Sequence, residues 1–229
     1  MTRALILDLD DTLYPERRFA LSGYAEVARA VERQHGFAAR DAFRILRDAL
    51  VTGRRNEAFQ TLAGRIGIHL SHVDAFREIY RRHQPRLRLP RTSRAALMLA
   101  RRSWRIAVLT NGWPAVQRSK VAALGLASMV DAVVYAHEVG EGKPDAAVFL
   151  ATCQALDVSP GRAVMAGDDP WCDIDGARRA GLRVIRVRQG WHRDVESGQT
   201  GSADATVLTI EGVPAAAGRL IHESDHDDV

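Results

Sequence analysis

Two carboxylates lie close to the start of the chain, at Asp8 and Asp10. They follow the apolar run Ala4–Leu7, which predicts a strand buried on both faces. Two carboxylates at positions i and i+2 after a strand can divide a reaction between a nucleophile and an acid/base group. This stretch is therefore the first candidate for an active site.

Further polar groups follow the later apolar runs of the chain. They are Thr110-Asn111-Gly112, Gly142-Lys143-Pro144, and Gly167-Asp168-Asp169 followed by Asp173. Each group alone is also typical of a turn or of a helix cap. In an open parallel sheet, however, the ligand crevice lies outside the carboxyl ends of the strands, and four successive groups of this kind favour a shared site. Lys143 is one of only two lysines in the chain.

The segments between these groups alternate between predicted strands and predicted helices. The strands are predicted at Ala4–Leu7, Ile106–Leu109, Val133–Ala136, Ala163–Ala166, Val184–Val187 and Ala205–Ile210, and the helices at Pro114–Leu124, Pro144–Leu156, Trp171–Ala180 and Val213–Ile221. Regular alternation of this kind is typical of an α/β fold with a parallel sheet.

One interval breaks the alternation, because Asp8 and Thr110 are separated by far more than one helix and one strand. Residues 15–89 show helical spacing of apolar residues, with Gly36, Gly53 and Gly67 as breaks. Without that segment the interval has the length of an ordinary helix-plus-strand unit. The sequence therefore predicts an α/β catalytic core formed by residues 1–14 and 90–229, with an inserted α-helical cap over 15–89.

Composition narrows the class of protein. The 229 residues are 46% hydrophobic, without an apolar run long enough to span a membrane, and Met1 leads almost directly into the first predicted strand. We therefore expect a cytoplasmic protein that does not bind membranes, as a monomer or homodimer. The two cysteines, Cys153 and Cys172, have no spacing typical of a disulfide framework or a zinc site.

The formal net charge of +4 comes almost entirely from arginine. The arginines are spread along the predicted helices without interleaved aromatic residues, which favours a solvated surface over a nucleic-acid interface. We therefore expect no nucleic-acid partner. Attraction of small anionic substrates remains compatible with this charge.

The residue types at the strand ends suit phosphoryl transfer. Several carboxylates in one crevice repel one another unless a cation offsets them, and hard oxygen ligands in an incomplete cage suit Mg²⁺. The Thr110 hydroxyl, the backbone N–H groups of Asn111 and Gly112, and the Lys143 ammonium group can then bind a phosphoryl group. The sequence thus predicts a magnesium-assisted phosphate site.

These motifs resemble those of the haloacid dehalogenase superfamily, in the subfamily I branch whose helical cap follows the first motif. Asp8 to Thr12 matches the DxDxT signature, Thr110-Asn111-Gly112 the second motif, Lys143-Pro144 the third, and Gly167-Asp168-Asp169 with Asp173 the fourth. The resemblance spans the whole core and implies a Rossmann-like parallel sheet.

The resemblance also implies a role for each matched residue. Asp8 would attack phosphorus to give an aspartyl-phosphate, and Asp10 would protonate the leaving oxygen and then activate water. Thr110, Asn111 and Lys143 would bind the phosphoryl group.

The metal ligands are likewise implied by the resemblance. Asp8 and Asp168 would hold Mg²⁺ through their side chains, and Asp10 would do so through its backbone carbonyl. Asp173 would complete the metal shell or orient the lysine, and Asp169 is a further candidate for the metal shell.

We therefore expect an Mg²⁺-dependent phosphatase that acts on a small phosphorylated metabolite. A phosphomutase of the same fold would share every one of these core residues. A 2-haloacid dehalogenase would lack Asp10 and the metal. A phosphate-accepting response regulator would carry its phosphorylated aspartate on a later strand and have no cap, and a protein that has lost its activity is the last alternative.

Overall fold

The computed structural model describes residues 2–195 and 202–227, and side chains through residue 221. The chain divides into two compact units, the first formed by Met1–Pro15 with Arg88–Val229 and the second by Glu16–Leu87. The assignment of these units as a catalytic core and a cap stays a prediction. None of the described helices is long and apolar enough to cross a membrane.

The first unit is built on a parallel sheet of six strands in the order β3-β2-β1-β4-β5-β6. The strands are β1 Ala4–Leu7, β2 Arg105–Thr110, β3 Ala132–Tyr135, β4 Ala163–Gly167, β5 Arg183–Val187 and β6 Ala205–Val207. The predicted α/β fold with a Rossmann-like parallel sheet is confirmed. The last strand is shorter than predicted, because the chain enters a 3₁₀ turn over Ile210–Gly212.

The α-helices of both units account for most of the remaining chain. They are α1 Arg17–His35, α2 Ala39–Val51, α3 Ala58–Ile66, α4 His72–Arg82, α5 Arg91–Ala100, α6 Pro114–Leu124, α7 Ala136–Val139, α8 Ala146–Ala155, α9 Gly176–Arg179 and α10 Val213–Asp227.

Helix α6 has the predicted bounds, whereas two other predicted helices differ at their starts. Helix α8 begins at Ala146 instead of Pro144, because the Asp145 side chain accepts a hydrogen bond from Ala147 N and caps the first turn. The predicted helix over Trp171–Ala180 consists of a π-helical segment, Pro170–Asp175, followed by α9.

Strand β1 lies at the centre of the sheet, where all four of its residues are buried. Its register aligns Leu7 with Val108 of β2 and with Ala166 of β4. The three strands therefore end at the same edge, and the residues that follow them emerge side by side.

The second unit has a hydrophobic core of its own, formed by α1 to α4. Val27, Val31, Leu46 and Leu62 are fully buried in it. Helices α1 and α3 end at Gly36 and Gly67, both in the left-handed conformation that glycine adopts without strain.

Candidate active site

The edge at which β1, β2 and β4 end carries a buried cluster of carboxylates. Asp8 follows β1, Asp168 follows β4, and Asp173 lies in the π-helical segment after β4. Each of the three offers a carboxylate oxygen within 4.8 Å of the others. Ionisation of all three acidic groups at this separation in the interior is unfavourable unless a cation lies between them.

Lys143 supplies one positive charge to this cluster. Its ammonium nitrogen lies 2.5 Å from Asp8 Oδ1 and 2.7 Å from Asp173 Oδ1, and it also donates to the carbonyl of Leu109. Burial alone would lower the pKa of Lys143, but Asp173 and Asp8 outweigh it and raise the pKa above its usual range. The ammonium group is therefore charged and shared between the two carboxylates.

One ammonium group does not neutralise the cluster. Burial raises the pKa of Asp8 to about 7, with further contributions from Asp173 and Asp10, although Lys143 opposes them. Burial likewise raises the pKa of Asp168 to about 6, against a hydrogen bond from His192. An additional cation would relieve this excess of negative charge.

The donor set fits Mg²⁺. Carboxylate oxygens are the ligands that this ion prefers, and a cage of two or three carboxylates leaves octahedral positions for water and a substrate oxygen. Asp8, Asp168 and Asp173 are the side chains that could hold the ion. Of the three, Asp173 has its two oxygens engaged by Lys143 and by Asp169 N, which favours Asp8 and Asp168 as the ligands.

Asn111 fixes the loop that carries the lysine. Its side-chain oxygen accepts from Lys143 N at 2.8 Å, and its amide donates to Lys143 O at 2.8 Å. Of the predicted phosphate contacts, the Asn111 side chain is therefore used within the protein, and its backbone N–H stays a candidate. Thr110 lies at the end of β2, fully buried, with its hydroxyl oxygen 3.0 Å from Gln117 Nε2.

Asp10 is separate from the carboxylate cluster and has different partners. Its Oδ1 accepts from the Tyr14 hydroxyl at 2.6 Å, and its Oδ2 accepts from Gln117 Nε2 at 3.0 Å. Lys120 Nζ lies 2.9 Å from Oδ1 and 2.8 Å from Oδ2. Burial would raise the pKa of Asp10, but the charge of Lys120 and these hydrogen bonds lower it below its usual value.

The two carboxylates of the first motif therefore have pKa values that are shifted in opposite directions. The pKa of Asp8 is raised by burial and that of Asp10 is lowered, chiefly by Lys120. Opposite shifts in a neighbouring pair are typical of sites that give the two groups different tasks.

Sequence reasoning missed several partners in this site. Lys120 and Gln117 lie on α6 and not at a strand end, and Tyr14 and His192 belong to no quoted motif. A signal for Lys120 was present, because the chain has only two lysines and both reach the site. His192 follows β5, and its Nδ1 lies 2.8 Å from Asp168 Oδ2.

Asp169 serves the backbone of its own loop. Its Oδ1 accepts from the backbone nitrogens of Trp171 and Cys172, each at 2.9 Å, which caps the π-helical segment. Its place in a metal shell stays a prediction.

A family model described as a haloacid dehalogenase-like hydrolase matches residues 2–181. The chain belongs to this family. The chain is therefore a haloacid dehalogenase-like hydrolase, in agreement with the resemblance of its four motifs. The cap branch within the family stays a prediction.

Curated relatives of this haloacid dehalogenase-like chain include phosphatases. It is 43% identical over 108 residues to a phosphoserine phosphatase of Thermus thermophilus, which covers 46% of the chain and 43% of that relative. It is 30% identical over 223 residues to a ribulose-1,5-bisphosphate 5-phosphatase of Halopiger xanaduensis, which covers 89% of the chain and 90% of the relative. These relatives support a phosphoric monoester hydrolase.

Solved structures with this fold include a 2-haloacid dehalogenase from Pseudomonas syringae. It superposes with a TM-score of 0.61 at 24% identity and covers 96% of this chain and 99% of that one. At this identity the similarity shows the haloacid dehalogenase-like fold and leaves the reaction to the site residues.

Proposed function

We propose that the protein is an Mg²⁺-dependent phosphatase that hydrolyses a small phosphorylated metabolite through an aspartyl-phosphate on Asp8. The observation that carries the proposal is that Asp8 and Asp10 have different partners at the edge of the sheet. Asp8 lies in a buried cluster with Lys143, Asp173 and Asp168, whereas Asp10 accepts hydrogen bonds from Lys120 and Tyr14. The named phosphatase relatives support the same reaction class.

In the first step an Asp8 carboxylate oxygen attacks phosphorus, and the bond from phosphorus to the leaving oxygen breaks. Asp10, which its lowered pKa leaves ionised beforehand, takes up a proton as the substrate binds and gives it to that oxygen, so that the product leaves as a neutral alcohol. Lys143 lies beside Asp8 and offsets charge on the transferring group, and the buried Thr110 hydroxyl is a candidate donor to it. Bound Mg²⁺ would be held by Asp8 and Asp168 and would neutralise charge on the phosphoryl oxygens.

In the second step water attacks the phosphorus of the aspartyl-phosphate. Asp10, now a carboxylate, accepts a proton from that water, and the bond between phosphorus and Asp8 breaks. Inorganic phosphate leaves, and both aspartates return to their starting states. The first step requires Asp8 ionised and Asp10 protonated, whereas burial raises the pKa of Asp8 and Lys120 lowers that of Asp10. A cation beside Asp8 and the approach of an anionic substrate to Asp10 would shift the two pKa values toward these states.

Dehalogenation fits this site less well than phosphate hydrolysis, although a 2-haloacid dehalogenase shares the fold. Attack of Asp8 on carbon would need neither a second aspartate nor a carboxylate cluster that calls for a cation. Asp10 with its three partners and the cluster of Asp8, Asp168 and Asp173 therefore favour phosphate as the target.

Hydrolysis of an aryl phosphate is expected to require Mg²⁺. Protein treated with EDTA and dialysed should release no phosphate from p-nitrophenyl phosphate above the blank, and addition of Mg²⁺ should restore release. A panel of phosphorylated sugars, nucleotides and short acids at fixed Mg²⁺ then identifies the substrate class. Equal activity with and without the ion would contradict the proposed site.

Gly167→Ala is expected to lower kcat/KM about 100-fold, because an added Cβ would lie 2.1 Å from Asp173 Oδ2 and displace a group that holds Lys143. Steady-state kinetics at saturating Mg²⁺ measure the change. Gly161→Ala is the matched control, since a Cβ there meets no atom within 4 Å. Unchanged kinetics in Gly167→Ala would show that the position of Asp173 does not matter to turnover.

A further inference from the structure

The carboxylate of Asp10 is held on both oxygens by side chains that the four motifs do not include. Oδ1 accepts from Tyr14 and Lys120, and Oδ2 accepts from Gln117 and Lys120. A carboxylate with two partners on each oxygen has one available orientation. The acid/base group of the proposed reaction is therefore fixed in place before substrate binds.

Lys120 is the unusual member of this group. Its side chain is only 5% exposed, and its ammonium nitrogen lies within 2.9 Å of both oxygens of Asp10. A buried ion pair contributes little to stability, because the loss of hydration offsets the attraction, and apolar residues of similar volume often replace such pairs without loss. Stability is therefore a weak reason for a lysine at position 120.

Gln117 connects Asp10 to the phosphate side of the site. Its amide nitrogen lies 3.0 Å from Asp10 Oδ2 and 3.0 Å from Thr110 Oγ1. Gln117 and Lys120 are three residues apart on α6, and so they lie on one face of the helix. The helix starts directly after the Thr110 loop, so that one element carries both donors to the site.

We propose that Lys120, assisted by Gln117, is a positioning residue for Asp10 that aims its carboxyl group at the leaving oxygen of the substrate. The inference rests on the proposed phosphatase function. Lys120 keeps its proton throughout. Asp10 takes up a proton as the substrate binds and delivers it in the first step, and it accepts a proton from water in the second. Lys120 acts through Asp10 and touches neither substrate nor phosphorus.

The role predicts a dependence on the leaving group. An alkoxide leaves poorly and needs the proton of Asp10, whereas nitrophenolate leaves without protonation. A variant that misplaces Asp10 therefore loses more activity on alkyl phosphates than on p-nitrophenyl phosphate. A merely structural defect would lower both activities by the same factor.

The test compares Lys120→Met with wild type on p-nitrophenyl phosphate, phenyl phosphate and an alkyl phosphate at saturating Mg²⁺. The measured quantity is kcat/KM, which reports the step that expels the leaving group. We expect the loss on the alkyl phosphate to exceed that on p-nitrophenyl phosphate by at least about tenfold, as for removal of part of a general acid's contribution. A uniform loss, or none, overturns the inference.

Arg118→Met is the matched control on the same helix. Arg118 is exposed and pairs with Glu138, so that its loss removes an ion pair of α6 without reaching Asp10. We expect the same relative rates across the three substrates as in wild type. Gln117→Leu provides a second test if Lys120→Met does not fold, and it should show the same selective loss on the alkyl phosphate.

A double-variant cycle separates action through Asp10 from action on the fold. In an Asp10→Asn background, Lys120→Met should cause little further loss in kcat/KM, because the group that it positions is gone. A full additional loss would show that Lys120 acts elsewhere and overturn the inference. If wild type releases no phosphate from any of the three esters, the proposed function fails, and the inference fails with it. If wild type is active, the kinetics of the variants decide whether Lys120 positions Asp10.

Discussion

Asp8→Asn is expected to abolish turnover, with a fall in kcat of at least about 10⁴-fold, as is typical when the nucleophile of covalent catalysis is removed. An amide cannot accept the phosphoryl group as the carboxylate does, and it also removes one oxygen ligand of the proposed ion. Phosphate release from the best substrate of the panel, at saturating Mg²⁺, measures the effect.

The fold of this variant should remain intact. Burial, together with repulsion from Asp173 and Asp10, raises the pKa of Asp8 to about 7, although Lys143 opposes them. Asparagine has nearly the same shape and relieves this repulsion, so that thermal unfolding without metal should occur at an equal or higher temperature. Asp157→Asn is the matched control, because it makes the same atomic change at a side chain 95% exposed. An active Asp8→Asn protein would remove Asp8 from the role of nucleophile.

Lys143→Met is expected to have the second largest effect, and to change both stability and rate. The Lys143 side chain is 3% exposed, and its ammonium group pairs with Asp8 and Asp173. Its loss leaves two buried carboxylates without their paired cation, which costs about 3–5 kcal/mol in the free energy of unfolding. The rate should fall by about 10²–10³-fold, because one charge that stabilises the transferring group is gone.

Denaturant unfolding and steady-state kinetics measure the two effects of Lys143→Met. Arg82→Met is a suitable control, since Arg82 is 84% exposed and its ion pair with Glu78 lies at the surface. Wild-type rates in Lys143→Met would show that the buried charge serves the fold alone. Wild-type stability would show that the carboxylates are held neutral by protons and not by the lysine.

The positions of the matched motifs could be predicted from the sequence because parallel strands end at one edge of their sheet. Asp8, Thr110 and Asp168 follow adjacent strands, and the register of β1 with β2 and β4 brings them together. The strands were visible because a strand buried on both faces is apolar at every position. The site residues that could be predicted are those whose positions follow from the order and direction of the strands.

The partners of Asp10 could not be deduced in the same way. Lys120 and Gln117 occupy the buried face of α6, where periodicity leads one to expect apolar residues. Sequence spacing shows that they share a face but not that this face is turned toward Asp10. His192 lies after the fifth strand in a short 3₁₀ turn, and a lone histidine in a loop carries no spacing signal.

The backbone conformation after β4 could not be predicted from the sequence either. The sequence predicts one regular helix over Trp171–Ala180. The Asp169 carboxylate instead caps two successive backbone nitrogens, at Trp171 and Cys172, and the first turn is π-helical. This arrangement places Asp173 against Lys143, and it depends on contacts that a pattern of residue types does not encode.

The most direct test of the account is to trap the phosphorylated enzyme. Wild-type protein is mixed with its best substrate and Mg²⁺, quenched in acid within the first turnover, reduced with borohydride and digested, and the peptides are identified by mass spectrometry. We expect borohydride to reduce the Asp8 side chain alone, because the aspartyl-phosphate forms there, and we expect no modified peptide from Asp8→Asn. Phosphate release with no modified Asp8, or modification at another aspartate, would contradict it.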